Sequence, residues 1–177
     1  MSTYPYVFSY LYGLIIPWRV GACKKSMGRI VYILSCTSSK NKEAKAVEEL
    51  YTGQLFKKGL EYARRRNPDA ILVVGGVCKS NVFRLDDALS YYDGIELEKL
   101  HFAVRKKLAR KRLENILAHG FSTEEDKFVF LTGQYYYEFI LAGRKNALPG
   151  ALQHFETPFL DNHLHGIGEI LHFLDNN

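Results

Sequence analysis

The sequence predicts an α/β domain of three layers, with a small, mainly parallel sheet and a ligand cleft at the carboxyl ends of its strands. Uninterrupted apolar runs at Ile30 to Leu34, Ala70 to Val74 and Phe128 to Leu131 read as strands buried on both faces. Stretches of helical spacing separate them, as they do when strands are joined by crossover helices. Each run also ends in a loop of small, polar or basic residues. In an open α/β sheet, ligands bind beyond those ends, where strand-end loops and helix N-termini present unpaired N–H groups.

The elements follow in order. After the first strand comes Ser35-Cys36-Thr37-Ser38-Ser39-Lys40, then a helix from about Lys42 to Arg66 with Ala46, Leu50, Leu55 and Leu60 near helical spacing. Gly53 lies mid-pattern, where the stretch can divide in two, and Asn67-Pro68 closes it. The second strand runs into Gly75-Gly76-Val77-Cys78-Lys79-Ser80, and Leu85 to Ser90 reads as a short turn of helix before Tyr91-Tyr92-Asp93-Gly94. A basic helix spans about Glu96 to Ala118, with Leu97, Leu100, Val104 and Leu108 as its apolar stripe and Gly120 beyond its end. The third strand meets Thr132-Gly133-Gln134, a helix covers Gln134 to Ala142, and a turn-rich segment leads to a last helix near Ile167 to Leu174. The three strands are expected side by side and parallel.

Residues 1–26 stand apart. Tyr4 to Trp18 is apolar and tyrosine-rich, but Pro5 and Pro17 interrupt it and it is shorter than the ~20 residues that span a bilayer. Its basic residues, Arg19, Lys24 and Lys25, follow the apolar run, whereas a signal peptide carries them before it. The expectation is a dispensable extension over 1–26 and a single α/β domain over 27–177, starting near Met27, with no membrane partner.

At 47% hydrophobic and 24% charged residues, with a mean hydropathy of −0.18, the chain excludes disordered and fibrous classes. Cys23, Cys36 and Cys78 are odd in number and far apart, so they form neither a disulfide framework nor a paired metal site, and a reducing setting follows. The cytoplasm is the expected compartment, or the host cytoplasm for a viral protein. A net charge of +5 favours an anionic partner, nucleic acid or a nucleotide. That charge is polarised. Lys99, Arg105, Lys106, Lys107, Arg110, Lys111 and Arg112 fall in one acid-free run, while no Lys or Arg follows Lys145. The run is either a solvated helix face or a stripe that contacts phosphates through Lys99, Arg105, Lys106, Arg110 and Lys111.

The strand-end loops hold the other candidates. Ser38, Ser39 and Lys40 suit an anion cradle of hydroxyls, N–H groups and one cation, although a serine there equally serves as a helix N-cap. The spacing is not that of a P-loop, and no cofactor is expected. Cys36, beside Lys40, is a reactive thiolate or a buried structural cysteine. Gly75, Gly76, Thr132 and Gly133 complete the ligand-facing set, and Tyr51, Tyr92 and Tyr136 offer rings that stack a base or pack in the core. Glu49 and Asp93 are the candidate catalytic carboxylates: a pair at one pocket can activate water and stabilise positive charge on a sugar. Alternatively, Glu49 pairs with Lys45 and Asp93 makes the turn before Gly94. His154, His163, His165 and His172 lack a supporting carboxylate or helical spacing, and no metal is assigned to them.

Cys36-Thr37-Ser38-Ser39-Lys40, followed by Ala46, Glu49-Leu50-Tyr51-Thr52-Gly53 and Phe56, resembles the opening signature of the DUF6884 family, which itself is distantly similar to the YaaA peroxide-stress, DNA-binding group. Asp86-Asp87-Ala88 with Tyr91-Tyr92-Asp93, Thr132-Gly133 with Tyr136, and Gly166-Ile167-Gly168 are similar to its later blocks. The second strand end departs from the family's Ser-Ala-Lys-His-Gly-Leu pattern and lacks its histidine. The resemblance implies a nucleic-acid-linked role. Two functions are therefore expected as alternatives: a hydrolase acting on an N-glycosidic bond of a nucleotide or DNA base, or a non-catalytic nucleic-acid-binding protein that uses its basic helix.

Overall fold

The computed structural model of the chain describes residues 28–75, 81–93, 102–133, 136–137 and 152–177. Its elements are β1 (Ile30–Ser35), α1 (Val47–Leu50), α2 (Gln54–Arg65), β2 (Ala70–Val74), β3 (Val82–Arg84), α3 (Phe102–Ala118), β4 (Lys127–Leu131), β5 (His154–Glu156), α4 (Pro158–Asp161) and α5 (Ile167–Asn176). The strands form one five-stranded sheet in the order β3-β2-β1-β4-β5. The three expected strands are its centre, with β1 parallel to both β2 and β4. β5 adds in parallel on one edge, and β3 adds antiparallel on the other.

Continuous apolarity in the central strands serves two cores. Val31 and Ile33 of β1 join Leu72, Val74, Phe128 and Phe130 under Leu113 and Ile116 of α3. Tyr32 and Leu34 join Val73, Val129 and Leu131 under α2 and α5, through Leu60, Ala63 and Leu174. The alternation of side chains along each strand thus sends neighbouring residues to opposite faces. No described helix is long and apolar enough to cross a membrane.

Several elements differ from the sequence reading. The single helix over Lys42 to Arg66 is two, α1 and α2, because the chain passes through an extended Tyr51 bridged to Lys40 and turns into α2 at Gly53. Asn67, at φ 46°, ends α2 before Pro68, in the left-handed conformation that helix ends favour. Leu85 to Ser90 is not helical: it follows β3 as a turn and lies against α1, with Ala46 bridged to Ala88. β3, β5 and α4, each of three or four residues, are additional to the expected elements. α3 begins at Phe102 among the described residues, so the expected start near Glu96 lies outside them, as does all but Tyr136 and Tyr137 of the helix over Gln134 to Ala142.

The buried face of α3 also departs from the expected stripe at Val104, while Leu108 is half-buried and Leu97 and Leu100 lie outside the described residues. Val104 is 43% exposed, whereas Ala109, Arg112, Leu113 and Ile116 are buried. Gly120, at φ 83°, closes this helix, with its N–H on the Leu117 carbonyl and the Phe121 N–H on that of Ile116. The edge strand β3 is blocked from further pairing by side chains. Asn115 accepts the Val82 N–H at 3.3 Å, the His119 ring meets the Val82 carbonyl at 2.9 Å, and Asp87 accepts the Arg84 N–H at 2.7 Å. At the opposite end of the sheet, Asp126 joins the start of β1 to the approach to β4 by accepting N–H groups of Arg29 and Ser122. Burial would raise its carboxyl, but these bonds hold it below its ordinary value.

Candidate functional site

The register of the central strands brings their carboxyl ends level. Ser35 pairs with Val74, and Leu34 with Leu131, so Cys36, Gly75, Thr132 and Gly133 lie just beyond a common edge. The Cys36 N–H continues the ladder to the Val74 carbonyl at 3.0 Å, and the Gly75 N–H turns toward β3 by bonding the Asn81 carbonyl at 3.0 Å.

The segment 36–41 folds back on the chain around Tyr51. The Thr52 N–H donates to Ser39 at 3.0 Å and the Asn41 N–H to Leu50 at 2.8 Å, while the Thr37 hydroxyl donates to the Ser39 carbonyl. A Cβ on Gly53 would stand 2.9 Å from Thr37 Cβ and Oγ1, so only glycine lets the two segments approach this closely. Leu50 and Tyr51 are buried, and Phe56 packs its ring 5.3 Å from that of Tyr51. Each apolar position of the Glu49-Leu50-Tyr51-Thr52-Gly53 and Phe56 pattern thus shapes the strand-end loop. Ser38 and Ser39 are exposed, and neither caps a helix, since α1 begins at Val47 with Ala46 at its cap position.

Polar groups from separate segments of the chain meet at this edge. Cys36 Sγ lies 2.8 Å from the Tyr136 hydroxyl and is close to the Tyr92 side chain. The Tyr92 and Tyr51 hydroxyls are 2.7 Å apart, and Lys40 Nζ sits 4.7 Å above the Tyr92 ring, a cation–π distance. Arg112 reaches in from α3, fully buried, and donates from Nη2 to the Gly75 carbonyl at 2.7 Å. Thr132 is 2% exposed, and its hydroxyl has no hydrogen-bond partner among the described residues.

The electrostatics favour neutral donors around fixed positive charge. Burial raises the Cys36 thiol, outweighing the Tyr136 hydrogen bond, the Tyr92 side chain and the nearby charges of Lys40 and Arg112. Burial likewise raises Tyr51 and Tyr136, reinforced by their hydrogen bonds to Tyr92 and Cys36. It lowers Arg112, but a guanidinium has so high an intrinsic value that it remains a cation. Cys36 is therefore a protonated thiol and not the poised thiolate that its neighbour Lys40 suggested. A guanidinium, an ammonium and neutral O–H and S–H donors make an anion receptor.

The two candidate carboxylates lie outside this hydrogen-bonded group. Glu49 is exposed and accepts the Lys45 backbone N–H at 3.1 Å. Asp93 is exposed and accepts the Tyr91 hydroxyl at 2.8 Å. Gly76 and Lys99 are not among the described residues, and of Arg105 and Lys106 only the helical backbone is. Lys107, Arg110 and Lys111 are exposed on the outer face of α3. Tyr51 and Tyr92 act through their hydroxyls, since both rings are buried. Two surface clefts lie elsewhere: one of about 430 Å³ between β3 and α3, lined by Asn81, Phe83, Asn115 and His119, and one of about 680 Å³ beside α5, lined by His163, Glu169, His172 and Phe173. Among the described residues no group of three His, Cys, Asp or Glu side chains is placed to hold a metal ion.

Arg112 is the site residue that the sequence concealed, because it looked like one more member of a solvated basic run. Its spacing from Ala109, Leu113 and Ile116 was the available signal. In comparisons with known proteins, no curated protein and no solved structure matches the chain. Residues 31–176 match the model of a family of unknown function, DUF6884.

Proposed function

The chain belongs to the DUF6884 family, and we propose that it is a nucleotide- or nucleic-acid-linked protein whose cleft at the carboxyl ends of β1, β2 and β4 binds a nucleotide unit through its phosphate. One observation carries this reading: Arg112 is delivered in buried form to the Gly75 carbonyl, among the protonated Cys36 and Tyr136 and the Tyr92 side chain, and near Lys40. Positive charge held away from water binds phosphate oxygens more strongly than the same charge on an open surface. Ser38, Ser39 and Gly133 add hydroxyl and backbone N–H donors along the same edge.

Within this reading the reaction is hydrolysis of an N-glycosidic bond, with Glu49 and Asp93 as acid and base. What supports it is their place in the chain: each is exposed and stands within two residues of Tyr51 or Tyr92, the pair whose hydroxyls meet. Base release from nucleoside monophosphates and from DNA tests the reaction. Glu49→Gln or Asp93→Asn is expected to lower the rate by ~10²–10⁴-fold. Binding without base release by the unaltered protein would remove the hydrolytic part of the proposal.

The exposure of Lys107, Arg110 and Lys111 on α3 favours a second reading, non-catalytic binding of a nucleic-acid backbone. Replacing Arg105, Lys106, Arg110 and Lys111 with Gln is then expected to flatten the dependence of log affinity on log salt, by up to ~0.9 per lost phosphate contact on duplex DNA. An unchanged slope would leave that face as solvated surface.

A further inference from the structure

On the reading that the strand-end cleft binds a nucleotide unit, we propose that it selects a terminal phosphate, the monoester at the end of a nucleotide or strand, over the diester of a continuous backbone. The selectivity comes from depth. Arg112 is 0% exposed, and its guanidinium donates to the Gly75 carbonyl just past the end of β2. A diester has a chain on both sides of its phosphorus and stays at the surface, whereas a monoester ends in free oxygens and can be inserted.

Thr132 supplies the second observation. Its hydroxyl is buried just past the end of β4 and has no partner among the described residues, an arrangement that native structures seldom keep without a use. Phe128 and Phe130 of β4 pack on the α3 side of the sheet and Val129 and Leu131 on the other, so the alternation assigns Thr132 to the α3 side. Arg112 enters from that side. Ser35 of β1, 6% exposed, follows Val31 and Ile33 onto it as well. A guanidinium and hydroxyls on one face, at one level of the sheet, suit the oxygens of a monoester, which carries more charge and more acceptor positions than a diester.

Calorimetric titration with adenosine 5′-monophosphate and with tetrathymidylate bearing a 5′-phosphate, a 3′-phosphate or neither tests this. The protein is expected to bind a phosphorylated tetramer about 10- to 100-fold more tightly than the unphosphorylated one, the range of one charge-assisted hydrogen bond. The monophosphate arm shows whether a free nucleotide suffices or a strand is needed. Thr132→Val keeps the side-chain shape and removes only the hydroxyl, so it is expected to fold with unchanged or higher stability while narrowing the preference several-fold. Arg112→Lys is expected to abolish the preference. Equal affinity of the unaltered protein for phosphorylated and unphosphorylated tetramers, with binding still weakened by Lys40→Gln, would overturn terminal selection and leave the nucleotide cleft intact. Failure of every probe to bind would overturn both.

Discussion

Replacing Tyr92 with Phe should cost more than replacing Tyr51, although both changes delete one hydroxyl from the same 2.7 Å pair. Tyr51 is 1% exposed, and the Tyr92 hydroxyl is its hydrogen-bond partner, so Tyr92→Phe strands a buried donor at a cost of about 1–3 kcal/mol. Tyr51→Phe leaves the Tyr92 hydroxyl with its other neighbours, Cys36 among them, and should cost about 0.5–1.5 kcal/mol, the net worth of an ordinary hydrogen bond. Both rings keep their packing, so neither variant opens a cavity. With both hydroxyls gone, no stranded partner remains, and the double variant should be less destabilised than the sum of the singles by about 1 kcal/mol. Urea unfolding of the four proteins at matched m-values measures the cycle. In thermal unfolding each kcal/mol should move the midpoint by about 2–4 °C for a domain of this size. Additivity within ~0.5 kcal/mol, or a neutral Tyr92→Phe, would refute the idea that the two hydroxyls depend on each other.

Other consequences follow from the same geometry. Gly53→Ala should destabilise by about 1–3 kcal/mol, because its Cβ meets the Thr37 side chain at 2.9 Å, and Thr37→Ala in the same protein should recover part of that loss; a neutral Gly53→Ala in urea unfolding would contradict the contact. Cys36, Tyr51 and Tyr136 hold their protons to higher pH in the folded state than in the unfolded chain, so the stability they contribute is complete below about pH 8.5 and is lost as pH rises, through about 10 and beyond. The urea midpoint should fall over that range and fall less in Cys36→Ala, whereas a flat midpoint would show that burial does not perturb these groups. Deleting residues 1–26 should leave cooperative unfolding intact, since the family match starts at residue 31; loss of the transition in the truncated chain would show that the segment belongs to the fold.

The parts of the fold legible in the sequence were those in which one physical cause dominates. The central strands are buried on both faces, and an unbroken apolar run such as Ile30 to Leu34 can hardly be anything else. Asn67 and Gly120 announced helix ends because left-handed backbone selects those residues. β3 and β5 were invisible because three-residue edge strands contain less than two periods of alternation, and they exist through pairing with β2 and β4. The break before α2 was visible only as Gly53, since the extended Tyr51 depends on a bridge to Lys40 across the loop. For the site, the strand-end loops were identifiable from position alone. The hydroxyl contacts were not, since Cys36 meets Tyr136 and Tyr51 meets Tyr92 across long sequence separations. Arg112 was hidden for a different reason: a charged side chain on the apolar face breaks the pattern by which that face is recognised.

The central claim, that the strand-end cleft binds a nucleoside phosphate, is tested most directly by nuclear magnetic resonance titration of the labelled protein with adenosine 5′-monophosphate and 5′-phosphorylated tetrathymidylate. The account predicts that the largest amide shifts fall on Cys36, Lys40, Gly75, Thr132 and Gly133, along the shared carboxyl edge of β1, β2 and β4, and that Lys40→Gln weakens them. Shifts confined to the Lys107, Arg110 and Lys111 face of α3, or no shifts at millimolar ligand, the weak end of specific binding at about 4 kcal/mol, would contradict it.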